Sequence, residues 1–323
     1  MITYLGDKID IRLAAFFGIV FAFAATCFLL QKFSGLLPTD QGREYAHDGK
    51  LSAGKPRGAG FLFILVFLVS ALLFIGIERE MVIYLILVAA AMMTGFLDDC
   101  SKAPWGEYKK GLLDLIIAVM VAVTFLNFNS NTVELMLFQT SLTIPPVVFG
   151  ILIVILVWVS VNVTNCSDGV DGLSGTLTIV TLLSIYVLDR MKGMDENYNY
   201  LILLFVICLL GYLWFNAAPS KLMMGDAGSR AMGLFISIAV LKMGSPFLYI
   251  LLALVLILDG GLGLLKVSLL RFLKIKILKN VRTPLHDHVR KVWGWSNTQT
   301  VYRFAIIQIM IAVGVVYIAS LLA

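Results

Sequence analysis

The chain has 323 residues, of which 60% are apolar and only 14% charged, with a formal net charge of +5. A soluble domain averages about 45–50% apolar and ~25% charged residues, so this balance excludes a water-soluble globular protein and indicates a polytopic membrane protein. The excess of positive charge is accordingly not a nucleic-acid signal, because in such a chain the placement of lysine and arginine matters more than their sum.

A transmembrane helix needs roughly 20 apolar residues. That measure predicts ten spans, at about 11–32, 59–77, 80–97, 112–127, 145–163, 174–190, 199–216, 229–243, 246–265 and 301–322. The first run is long enough to span, so no cleavable signal is expected. The fold expected is all-α, one integral-membrane domain over 1–323. With ten spans, 33–58, 98–111, 164–173, 217–228 and 266–300 share one side. Counting helix-end residues with the nearer side, that side carries 19 of the 25 lysines and arginines, which places it in the cytoplasm and both termini outside. The four cysteines show no paired spacing, and no internal repeat of the transporter kind is evident.

The segments that carry chemistry all fall on the basic side. In AHDGKLSAGKPRGAGF (46–61), Lys50, Lys55 and Arg57 interleave with glycines just before a helix. This is either ordinary positive flanking or a phosphate hold. GFLDDC ends a helix on Asp98 and Asp99, with Lys102 following. Adjacent carboxylates repel, and either face solvent as a cap or share a cation or proton. NVTNCSDGVDGLSG (162–175) places Asp168 and Asp171 three residues apart on a glycine-rich turn with Asn162 and Asn165 beside them. The plain reading is an acidic helix cap; the sharper one is close backbone approach to an anion at a helix N-terminus.

WFNAAPSKLMMGDAGSRAMG (214–233) repeats that pattern: Asn216, then Asp226 between glycines, then a helix. Simple capping would also account for it. LDGGLG, with Asp259, weakens a helix before KVSLLRFLKIKILKN (266–280), a basic amphipathic stretch expected to lie as a helix along anionic headgroups. In TPLHDHVRKVWGW, His286 and His288 flank Asp287. With no cysteine or third histidine nearby, imidazoles beside a diphosphate are a better reading than a transition-metal site; His47 is left unassigned.

Each segment alone could be structural. Together they gather five aspartates, two histidines and several cations on one face. Carboxylates at a membrane edge are costly unless they face a polar cavity, so such a cluster is a functional candidate. Carboxylate oxygen is a hard ligand suited to Mg²⁺ on a phosphate substrate, which points to phosphoryl or phosphosugar transfer at a membrane.

In order and spacing, GFLDD, NVTNCSDGVDGLSG, WFNAAPSKLMMGDAGS and TPLHDHVRKVWGWS resemble the polyprenyl-phosphate N-acetylhexosamine-1-phosphate transferase superfamily, from about Gly54 to Arg303. Pro284 and Gly294-Trp295 are similar to its phospho-N-acetylmuramoyl-pentapeptide transferase branch. The resemblance implies a ten-span fold, often a homodimer, in the bacterial plasma membrane. It also implies reaction of UDP-N-acetylmuramoyl-pentapeptide with undecaprenyl phosphate, using Mg²⁺ at a cytoplasmic-face site. Asp226 would hold the metal; Asp98 and Asp99 would meet the lipid phosphate, Asp98 deprotonating it. Asp168 and Asn165 would line the diphosphate, Asp171 and Asn216 the uridine, and Lys102, His286 and His288 phosphate or sugar. Several positions depart from the pattern. Asp287 replaces a middle histidine, Met223 an aromatic expected against uracil, Ser52 a lysine that Lys50 or Lys55 would substitute, and Arg57 a threonine. A further lysine has no counterpart near Asp114. These bear on the sugar nucleotide, leaving an N-acetylglucosamine-1-phosphate transferase and, more distantly, a transporter as alternatives.

Overall fold

The computed structural model describes residues 11–42, 52–101, 103–193 and 195–322. Among these residues thirteen α-helical pieces follow in order: α1 Ile11–Phe33, α2 Gly60–Phe74, α3 Arg79–Asp99, α4 Glu107–Phe128, α5 Pro146–Cys166, α6 Leu173–Lys192, α7 Glu196–Asn216, α8 Gly225–Lys242, α9 Tyr249–Leu252, α10 Leu254–Leu256, α11 Leu262–Leu273, α12 Leu285–Lys291 and α13 Asn297–Leu322. Local chemistry sets several of their ends. Pro146 opens α5, where the missing N–H is no loss. Asp195 caps α7 by accepting from the Asn197 amide at 2.8 Å. Gly193, at φ 68°, closes α6 behind Arg190 and Lys192, cations that suit a helix C-terminus.

Seven of these helices are long and apolar enough to cross a membrane, or eight if the bent pair Pro246–Leu252 and Leu254–Leu273 is one span. The chain is therefore a multi-pass membrane protein by its helices. Each of the ten expected segments is helical, but two fall short of a span by this measure. The run at 59–77 forms the 15-residue α2, and the run at 229–243 lies within α8, which is buried from Gly225 to Leu241. Long apolar runs report burial as readily as lipid contact, and α8 is buried by protein.

Helix α8 is the post around which the bundle packs: α3, α5 and α2 all lie against it. Glycine permits the closest of these approaches, since a Cβ on Gly60 of α2 would overlap the Gly228 backbone and one on Gly95 of α3 the Asp226 carbonyl. At the bend, 71° between its two arms, the broken ladder frees backbone groups that lipid could not satisfy. Gln308 of α13 answers both sides of the break: its amide donates to Leu252 O at 2.6 Å and its carbonyl accepts from Val255 N at 2.8 Å. Thr181 adds a second donor to Leu252 O.

Two expectations need correction. The chain is not purely α, because Thr132–Leu135 and Thr140–Thr143 (β1 and β2) pair as a small antiparallel hairpin in register Thr132↔Thr143 to Leu135↔Thr140. The β-branched threonines and Val133 suit it. The basic stretch 266–280 is helical only to Leu273. Lys274 turns left-handed at φ 58°, and Ile275 N closes back on Leu269 O. Lys266 then folds over the segment beyond, donating to Leu278 O and Val281 O. The helical part does present Leu265, Val267, Leu270, Phe272 and Leu273 outward, as an interfacial helix would.

Candidate active site

The α3 C-terminus and the α8 N-terminus meet, and this contact builds the site. Asp99 is the last residue of α3, and its carboxylate lies over the start of α8. There it accepts from the backbone amides of Asp226 (3.2 Å) and Ala227 (3.1 Å). Helix α8 has no side-chain cap of its own, so Asp99 supplies one from another helix, where a carboxylate meets both orphan N–H groups and the positive end of the helix. Gly225 makes this geometry accessible: it sits at φ 68°, and a Cβ there would collide with the Asp99 carboxylate.

Around this cap the other charges converge. Asp226 receives Lys110 Nζ at 3.0 Å on one oxygen and an Arg57 nitrogen at 3.4 Å on the other. Lys110 also bridges to Asp98, whose second oxygen accepts from Trp105 N at 2.7 Å. Arg57 donates to Asp99 at 2.8 Å and reaches Asp40 at 3.3 Å. Burial opposes the Arg57 charge, but Asp99, Asp226 and Asp40 outweigh it and raise its pKa above the ordinary arginine value. Asp98, Asp99 and Asp226 are thus one cluster bound by two cations.

The DGxDG loop lies alongside. Asn165 donates to Ser229 of α8 at 2.8 Å, and Ser174, the donor to Asp168 at 2.8 Å, also lies 3.9 Å from the Met224 sulfur. Asp171 accepts from Ser220 N and sits 3.9 Å from Lys55, which donates to the Ser220 hydroxyl. Met223 is fixed by its backbone, donating to Pro56 O and accepting from Ala59 N, which leaves its half-buried side chain beside the same loops. His286 is buried, in contact with Asp259 and facing Gly169.

Two expected residues, Asn216 and His288, sit differently. Asn216 is buried with both polar ends engaged by backbone, accepting from Gly172 N and donating to Leu222 O; it shapes two loops. His288 turns away, accepting from Arg282 N at 3.3 Å and packing its ring on Trp293. Asp287, in the middle-histidine position, bonds Lys291 of its own helix at 2.9 Å. Lys50, Lys102 and His47 lie outside the described residues.

Sequence reasoning missed Lys110, Asp40 and the buried pair of Asp114 with Arg230 (3.0 Å). A signal for Lys110 did exist. It follows Lys109 in the first turn of α4, where the helix dipole disfavours cations, so a pair of lysines there calls for acidic partners. The Asp114–Arg230 pair lies one turn deeper on the same two helices with the signs exchanged, so α4 and α8 are joined by two opposed rungs.

Residues 81–244 match a family model described as "Glycosyl transferase family 4". A phospho-N-acetylmuramoyl-pentapeptide-transferase of Treponema pallidum (strain Nichols) is 41% identical over 296 residues, covering 86% of this chain and 82% of that protein. Proteins of the same name from Borrelia hermsii and from Wolbachia of Drosophila simulans are 29% and 26% identical, each over 80% of this chain. The matched span holds both helix ends that form the charged cluster, and on that agreement of sequence and site the chain belongs to glycosyl transferase family 4, among the phospho-N-acetylmuramoyl-pentapeptide-transferases.

Proposed function

We propose that the protein transfers phospho-N-acetylmuramoyl-pentapeptide from its UDP-activated form to undecaprenyl phosphate, yielding lipid I and UMP. The observation that carries this reading is the meeting of Asp98, Asp99 and Asp226 with Lys110 and Arg57 at one junction of α3 and α8. The names of the relatives supply the substrate. The reading includes ten passes with both termini extracytoplasmic and the site on the cytoplasmic face of a bacterial plasma membrane. It is supported by the 19 basic residues on that side. It also includes a homodimer, on the family resemblance alone.

The residues fit a Mg²⁺ ion. Among the described residues no three His, Cys, Asp or Glu side chains close into a cage. Mg²⁺ in phosphate-transfer sites is commonly held by one or two carboxylates together with substrate phosphates and water. Asp226 would be its ligand, and the ion would supply charge neutralisation for the diphosphate. The protein's own groups do the rest. Asp98 accepts the proton of the lipid phosphate, if one is present. A lipid-phosphate oxygen then forms a bond to the β-phosphorus of the sugar nucleotide, while the bond from that phosphorus to the bridging oxygen breaks and UMP departs with that oxygen. Lys110 and Arg57 stabilise the negative charge on the transferring group, and Asp99 keeps the start of α8 in register. Positioning and electrostatics of this kind are the main resources of phosphoryl transfer.

The test is UMP release by the purified protein in detergent, with undecaprenyl phosphate and Mg²⁺ present or withheld. Release that requires all components and UDP-N-acetylmuramoyl-pentapeptide supports the reading. Turnover of UDP-N-acetylglucosamine alone would transfer it to the sister reaction. Passage of the sugar nucleotide into liposomes without UMP release would replace it with transport.

A further inference from the structure

Asp259 takes no part in the cluster above, yet it is among the most enclosed carboxylates in the chain, with no solvent exposure. It lies in a π-helical turn, Ile257–Gly261, between the bend and α11. Such turns interrupt a helix at a local energetic penalty and recur at functional sites. Here the turn is pressed against α5: a Cβ on Gly260 would overlap Val163 O, and Ser167 donates to Leu256 O at 3.2 Å. That packing aims Asp259 across to α12. One carboxylate oxygen accepts from the His286 amide at 2.8 Å, and the two oxygens lie 3.1 and 2.8 Å from His286 Nδ1.

A carboxylate has no hydrogen to give and can only accept, so with Asp259 as its partner Nδ1 carries a hydrogen and points at Asp259. The ring's other nitrogen, Nε2, faces the opposite way. It rests on Gly169, where an added Cβ would overlap it. Gly169 lies between Asp168 and Asp171 in the loop beside the start of α8. The charged groups around the ring are Asp259 from the π-turn, Asp168 from the loop and, on its own helix, Asp287 and Arg290. Asp287 is engaged by Lys291 at 2.9 Å and lies 3.8 Å from Arg290.

We propose that Asp259 is a positioning residue: in the free enzyme it locks His286 as the Nδ1–H tautomer with Nε2 held at the Asp168–Gly169 turn, so that Nε2 takes up a proton as the substrate binds and donates that hydrogen to a phosphate oxygen of the sugar nucleotide. The arrangement follows a general rule, in which an acid behind an imidazole sets which nitrogen works and where it points. It also gives the π-turn and the two small residues a common purpose, since Gly260 seats the acid and Gly169 admits the ring. This role rests on the transferase reading for the identity of the phosphate but not for the Asp259–His286 pairing itself.

Two measurements separate those layers. The chain holds only three histidines, so ¹⁵N-histidine labelling resolves them by NMR, with His286→Gln assigning its signal. The wild type should show His286 as a fixed Nδ1–H tautomer, and Asp259→Asn should abolish that state while Asp259→Glu retains it. An unchanged tautomer in Asp259→Asn would overturn the pairing whatever the enzyme's substrate. In the turnover assay, using the UDP-sugar the wild type accepts, Asp259→Asn should lower kcat/KM for the sugar nucleotide on the order of 100-fold, with KM for the polyprenyl phosphate unchanged. Asp259→Glu should recover more than a tenth of wild-type activity. The double variant Asp259→Asn/His286→Gln should be no slower than His286→Gln alone, because both act through one nitrogen. Additive losses, or an equal loss toward both substrates, would make Asp259 merely structural. Failure of wild-type turnover with any UDP-sugar would instead strike the function proposed above and leave the NMR result standing.

Discussion

Two clusters of charge tie α3 to α8, one at each end of the same antiparallel pair, and they are built to different rules. At the hairpin end, Glu80 accepts from Lys242 (2.8 Å), Asn129 (2.6 Å) and Tyr84 (2.8 Å). Lys242 also donates to Asn129 at 2.8 Å and lies 4.5 Å from the centre of the Tyr198 ring. Among the described residues one acid bonds one base directly, and neutral groups fill in around them. At the loop-rich end, four acids (Asp40, Asp98, Asp99 and Asp226) face two bases (Arg57 and Lys110) among the described residues. A balanced, closed cluster holds helices together. An unbalanced one retains a need for positive charge, which the metal ion proposed above would answer.

The comparison can be broken at several points. Asp226→Ala should cause the largest change: turnover falls at least about 1,000-fold while the protein still elutes folded from size exclusion. Mg²⁺ with sugar nucleotide should raise Tm of the wild type by binding the native state but not of this variant. Activity above a tenth of wild type would remove Asp226 from the metal role. Lys110→Met should follow, slowing kcat about 100-fold; it should also leave the variant folded, which a circular dichroism melt would check.

At the other end the readout should change in kind. Glu80→Gln leaves Lys242 without its counter-charge, and stranding one member of a largely buried pair costs about 3 kcal/mol. The expected result is a clear fall in Tm with kcat of the folded enzyme within threefold of wild type. The double variant Glu80→Gln/Lys242→Met should regain part of that stability, because no charge is left alone. A kcat loss as large as that of Lys110→Met would show that both ends serve the reaction. The smallest effect belongs to the exposed Arg271–Glu107 pair: Glu107→Gln should leave both Tm and turnover unchanged, since a solvated ion pair contributes little.

Much of this contrast was invisible along the chain. DD at 98–99 and the glycine-flanked Asp226 become a candidate site only when read together, because several acids at the ends of apolar runs need a reason to be there. Glu80 and Lys242 carry the same residue types at equally marginal positions, and nothing local separates a balanced pair from an unbalanced cluster. Local patterns report what each helix end carries. They do not report which other end arrives beside it, and that decides whether Lys110 bridges two acids or Asn216 faces a substrate.

The sequence by itself determined the class of the protein, its helical segments and the loops that bear its chemistry. Apolar run length and the placement of cations are local properties that the membrane reads directly. Only the tertiary structure decided that α8 is the buried post, that Asp99 caps it from another helix, that the stretch after Leu273 leaves the helix, and that Asp259 stands behind His286. The partners in that last pair are 27 residues apart and come together across a π-turn set by the packing of Gly260 on α5. Hydrogen bonds of that kind depend on where whole helices rest against one another, and no period or spacing in the chain encodes them.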